Sequence, residues 1–133
     1  MITSEDIAIK IRAKLLDEFN EVKVSWQRSD YEDSKEIVVV PHTATGEGSI
    51  RIVVVKVNVH VPDIYDSENK CYEADFSELN NLKKRVVKAL KNHTDGSIST
   101  NWKITSLDPP IKEQEHNEHF VSVSIEAYIR ERN

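Results

Sequence analysis

The chain reads as an α+β domain, a mainly antiparallel sheet with two helices packed on one face in the order α-β-β-β-α-β-β. Two long alternating segments predict the sheet. Residues 50–61 place Val53, Val55, Val57, Val59 and Val61 on one side, and residues 120–129 do the same with Val121, Val123, Ile125, Ala127 and Ile129. Side chains in a strand point alternately to opposite faces, so each segment has one apolar face. Both are well above the usual strand length of ~5–6 residues. Two stretches with apolar residues at helical spacing predict the layer that covers that face. The reverse face, with Ser122, Ser124, Glu126, Tyr128 and Arg130, must then meet water or another subunit.

Thr3 or Ser4 can cap the first helix, with Glu5 and Asp6 favourably placed at its positive end. Ile7, Ile11 and Leu15 recur every four residues, flanked by Ala8, Leu16 and Phe19, where the helix is expected to end. Residues 21–27 alternate Val22, Val24 and Trp26 and read as a short strand. The polar stretch 28–36 reads as a loop, and residues 37–40 as a strand stopped by Pro41, which cannot donate to a central ladder. Gly46 and Gly48 turn the chain into the long strand that Pro62 ends. Residues 63–72 form a polar and aromatic excursion.

Asp75 or Ser77 caps a second helix bearing Leu79, Leu82, Val86 and Leu90, with Phe76 and Val87 alongside. It is expected to end near His93, with Asp95-Gly96 as the break. Residues 99–107 are a strand carrying Trp102 and Ile104, and Asp108-Pro-Pro110 with the polar residues 112–118 connect it to the last strand. One domain spans residues 1–133, a length typical of a single core of ~100–150 residues.

At 38% hydrophobic and 31% charged, the composition is that of a folded globular chain. No apolar run nears the ~20 residues that cross a bilayer. The acidic N-terminus lacks the basic-then-apolar order of a signal peptide, so the expected compartment is a cytoplasm. The net charge of −5 argues against general nucleic-acid binding. Lys83, Lys84, Arg85, Lys88 and Lys91 read as a solvated helix face. The lone Cys71 rules out an internal disulfide and reads as a free structural thiol.

His116 and His119, near Glu113, Glu115 and Glu118, are the metal candidate, with His60 as a third ligand. A solvated acidic hairpin is the preferred reading, and no metal or cofactor is expected. Gly46-Glu47-Gly48 reads as a hairpin turn, because a strand and not a helix follows it. The acidic residues 30–36 read as a solvated loop without the apolar setting that raises a carboxylate pKa. Asn92-His-Thr94 matches a glycosylation acceptor by chance. No serine sits in a nucleophile elbow, and the chain is expected not to be an enzyme. Trp26 and Trp102 are assigned to the core, whereas Tyr31, Tyr65 and Tyr128 are the interface candidates.

The element order resembles that of the tail-terminator, or tail-completion, minor tail proteins of long-tailed bacteriophages. The matching features are the opening helix over residues 7–16, the strand through Val22-Lys-Val24, Ile37-Val-Val-Val-Pro41 and the long strand 50–61, followed by the helix 79–90 and the closing pair 102–107 and 119–130. The likeness covers nearly the whole chain but carries no signature motif. It implies an α+β structural protein of the virion, made in the host cytoplasm, with no catalytic residue or cofactor. It implies a hexameric ring that caps the tail tube protein and presents a surface to the head-tail connector protein, which places the function in virion assembly and head-tail joining. Rings need heterologous contacts between two different patches of each subunit. The alternative is a small α+β ligand- or metal-binding module using His60, His116 and His119.

Overall fold

In the computed structural model, which describes residues 2–46, 50–91, 94–95 and 100–130, the seven expected elements occur in the expected order with short strands added between them. Helix α1 (Ser4–Glu18) starts at Thr3 with a reciprocal capping box: the Thr3 hydroxyl accepts from the Asp6 amide and the Asp6 carboxylate from the Thr3 amide. Strand β1 (Lys23–Ser25) leads through a loop to β2 (Glu36–Thr45), which turns back into β3 (Ile50–Pro62). A two-stranded hairpin follows, β4 (Ile64–Asp66) with β5 (Cys71–Glu73). Helix α2 (Phe76–Leu90) is capped by Asp75, and β6 (Thr94–Asp95), β7 (Thr100–Leu107), β8 (Ile111–Lys112) and β9 (Glu118–Arg130) complete the chain.

The main sheet runs β1-β2-β3-β9-β7-β6, with β8 also on β9. All its pairs are antiparallel except β1 with β2. Register aligns the apolar faces, with Val59 opposite Val121, Val57 opposite Val123 and Val55 opposite Ile125. Onto this face the helices press Ile7, Ile11, Leu15, Leu79, Leu82, Val86 and Leu90, all essentially buried. Trp102 joins the core, as its sequence position led us to expect, and its indole N–H donates to the Leu90 carbonyl at 2.8 Å.

Several expectations need correction. Pro41 does not stop β2: the strand passes through it with a bulge between Pro41 and Thr43 and runs on to Thr45. Only Glu36, Ile37 and Val38 pair with β1, so among the described residues β2 is an edge strand at Pro41, where a missing amide removes no outer ladder bond. Trp26 is not in the core; β1 ends at Ser25 and the indole stands exposed, under the Arg12 guanidinium. Phe76 is exposed at the start of α2, which ends at Leu90. The excursion after Pro62 is a hairpin, and the connection after Leu107 rejoins the sheet at β8. Glu47, Gly48, Asn92, His93, Gly96 and Ser99, which the turn, helix-end and glycosylation readings involved, lie outside the described residues.

Candidate functional site

The sheet face opposite the helices carries the polar side chains, and at one end of it the fold buries charge. Glu36 on β2 faces His60 on β3, and Glu118 at the start of β9 pairs with Pro62. The loop between β1 and β2 lays Arg28 across them. Arg28 Nη1 donates to Glu36 Oε1 at 3.0 Å, Nη2 to Glu118 Oε1 at 2.7 Å and Nε to Glu118 Oε2 at 3.2 Å. The loop read as solvated thus supplies a buried arginine, and Glu36 and Glu118, read as loop and hairpin residues, are fully buried in strands. Glu32 adopts φ 65°, unusual for a non-glycine residue, and its amide donates to Glu118 Oε1 at 2.8 Å. Buried carboxylates are tolerated here because they are paired and hydrogen-bonded.

Lone-pair accounting decides what the cluster can do. Glu118 accepts two bonds from Arg28, one from the Glu32 amide and one from His60 Nδ1 at 3.1 Å, which fills the roughly four sites a carboxylate offers. Because Glu118 can only accept, His60 Nδ1 carries the proton. Glu36 accepts from Arg28, from the Ser29 amide at 2.9 Å and from the Ser25 hydroxyl at 2.5 Å. Ligand atoms of His60, Glu113 and Glu118 do lie within 4.8 Å of one another. Glu118 is nevertheless saturated, and a guanidinium already occupies the place of the cation. The cluster is a brace that fastens the loop to the sheet.

The three histidines of the metal alternative do not share a centre. His60 pairs with Glu118, His116 with Glu32 at 3.3 Å, and His119 with Asp63 at 2.6 Å. Tyr31 stacks on His116, with ring centroids 4.0 Å apart, and Arg28 lies over its ring, so this interface candidate is engaged within its own chain. Tyr128 stands on the helix-free face with Lys103 over its ring. Tyr65 is exposed on the β4–β5 hairpin against Tyr72. Cys71 is exposed on the same hairpin, and partial loss of water together with the Glu73 and Asp66 carboxylates pushes its thiol pKa up, away from the reactive thiolate. Arg85, read as part of a solvated basic face, instead clamps the helices together through Glu18, Glu21 and the Phe19 ring.

Further along the helix-free face, Asn58 and Ser122 are cross-strand neighbours. Asn58 Oδ1 and Ser122 Oγ are buried without a hydrogen-bond partner among the described residues. Uncompensated buried polar atoms cost about 1–3 kcal/mol each.

The brace makes the protein acid-sensitive. Burial opposes ionisation of Glu36, but the Ser25 hydroxyl, the Ser29 amide and Arg28 outweigh it and lower its pKa from 4.5 to about 2. Glu118, opposed by burial and held by Arg28, is shifted the same way. Burial lowers the His60 pKa from 6.5, so the unfolded chain takes up that proton first. In all three cases the unfolded state binds more protons on acidification, and stability falls with pH. Denaturation midpoints should therefore be flat above neutrality. They should decline once pH drops below 6.5, and fall further between 4.5 and about 2. A midpoint that rises on acidification would contradict the brace.

Comparison with known proteins adds fold and nothing more. No family model matches the chain, and no curated protein matches it. A solved chain with 16% identity is similar over 98% of this chain and 96% of its own, at a TM-score of 0.56, and its name states no activity. At that identity the likeness supports the α+β architecture alone.

Proposed function

We propose that this chain is a non-enzymatic structural subunit that works by self-assembly, a tail-terminator-type protein of a long-tailed phage. In this reading six copies close a ring on the end of the tail tube and offer a surface to the head-side connector. The observation that carries the assembly reading is the helix-free sheet face, where Val54, Lys56 and Glu126 are half-buried and Tyr128 is exposed, so that a second copy can be laid against it. The chemistry-bearing side chains support the same reading, because Arg28, Glu36, Glu118 and the three histidines are engaged in pairs that fasten loops to the sheet. The phage assignment rests on the resemblance in element order.

Light scattering coupled to size exclusion tests the proposal. A closed oligomer of fixed mass that binds the ends of purified tail tubes is the expected result. A strict monomer at high concentration that ignores tube ends overturns it.

A further inference from the structure

Strand β1 covers only the first three residues of β2, so among the described residues the edge of β2 is unpaired from Val39 onward. Beside that edge, where a longer β1 would lie, is a groove of about 460 Å³ lined by Glu5, Ile9, Trp26, Val39 and Pro41. Ile9 is 58% and Trp26 46% exposed there. Arg12 lies over the Trp26 ring, and its Nε is a buried donor without an acceptor among the described residues. Elsewhere in the chain the β4–β5 hairpin forms its own two-stranded sheet, so among the described residues each of its strands also has a free edge. It carries Ile64, Tyr65 and Tyr72, between 52% and 55% exposed, so the hairpin does not fill the groove of its own chain. It also bears Asp66, Glu68 and Glu73 against the single cation Lys70.

We propose that the β4–β5 hairpin of one copy docks along the free edge of β2 in a neighbouring copy, turning the face that carries Ile64, Cys71 and Glu73 toward the Ile9–Trp26 groove and seating Ile64 in it. Edge-to-edge pairing supplies backbone hydrogen bonds to both strands except at Pro41, which has no amide, and Ile64 against Ile9 and Trp26 supplies buried area. Glu73, on the same face of the hairpin, meets the Arg12 guanidinium, whose Nη2 already donates to the Val24 carbonyl, and Lys70 can face Glu5. Hairpin and groove are different patches, so the contact is heterologous and closes into a ring or continues as a filament. The inference rests on the self-assembly reading and names the surface that performs it.

The native thiol provides the test. In an Ile9→Cys variant, mild oxidation should join the introduced thiol to Cys71 of a neighbouring copy and give a ladder of disulfide-linked copies on a non-reducing gel. Adding Cys71→Ser should abolish the ladder, and Asn81→Cys on the exposed side of α2 should give none. Ile64→Asp and Trp26→Asp should each weaken assembly at least tenfold while leaving the monomer folded by circular dichroism. A wild-type chain that stays monomeric overturns both the self-assembly reading and this contact. A wild-type oligomer that survives Ile64→Asp and Trp26→Asp, or that links no better through Ile9→Cys than through Asn81→Cys, overturns this contact alone. In that case the hairpin serves a different partner.

Discussion

Replacing Arg28 with methionine should lower stability by about 3–5 kcal/mol, the range for breaking a buried ion pair by removing one partner. The substitution strips Glu118 of two donors and Glu36 of one, and leaves two fully buried carboxylates without the guanidinium that bridges them, Glu36 keeping only the Lys23 ammonium at 3.7 Å. In a domain of this size that loss corresponds to a melting temperature lower by about 10–20 °C. Arg28→Met combined with Glu36→Gln and Glu118→Gln should recover much of the loss, because the triple variant no longer buries unpaired charge. Thermal denaturation of the single and triple variants measures both effects. An Arg28→Met protein as stable as the parent would show that the loop, and not the charge pairing, holds this end of the sheet.

Trp102→Ala should cost a similar amount, about 3–5 kcal/mol, through the cavity left by a large buried ring. Trp102 sits on β7 opposite Ala127 of β9, and its indole bonds the carbonyl at the end of α2. It therefore ties the second helix to the sheet both by packing and by a hydrogen bond. Trp102→Phe separates the two contributions. Most of the ring volume is kept, while the Leu90 carbonyl loses its donor, so the expected cost falls to about 1–2 kcal/mol. Chemical denaturation of the two variants gives the comparison. Equal costs would mean that the hydrogen bond, and not the packing, dominates.

The two effects differ in how far the sequence announces them. Trp102 could be placed in the core because it lies within an alternating strand, and local periodicity reports which side of a strand faces inward. The same signal located the valines of β3, the Val121–Ile129 face of β9 and the leucine stripe of α2. Arg28, Glu36 and Glu118 gave no such signal. Arg28 and Glu118 are 90 positions apart, and a lone charged residue beside a loop looks the same whether it ends in water or under a folded-back segment. Glu118 does share the parity of Phe120, Ser122 and Ser124, which in retrospect places it on the polar face of β9. Nothing local indicates that Arg28 would cover it. Trp26 failed in the opposite sense, because alternation continues through it although β1 ends one residue earlier.

Short-range patterning determined the two helices and the five strands of the predicted order, and the apolar side of the long ones, since helical and extended backbones impose fixed side-chain periods on neighbouring residues. The tertiary structure alone decided which polar groups lost their water. It formed the charge brace, gave His60, His116 and His119 each its own carboxylate, stopped β1 short so that the β2 edge stayed open, and left the Ile64–Tyr72 hairpin exposed. Those outcomes depend on strand register and loop path, and both are set by contacts between residues far apart along the chain.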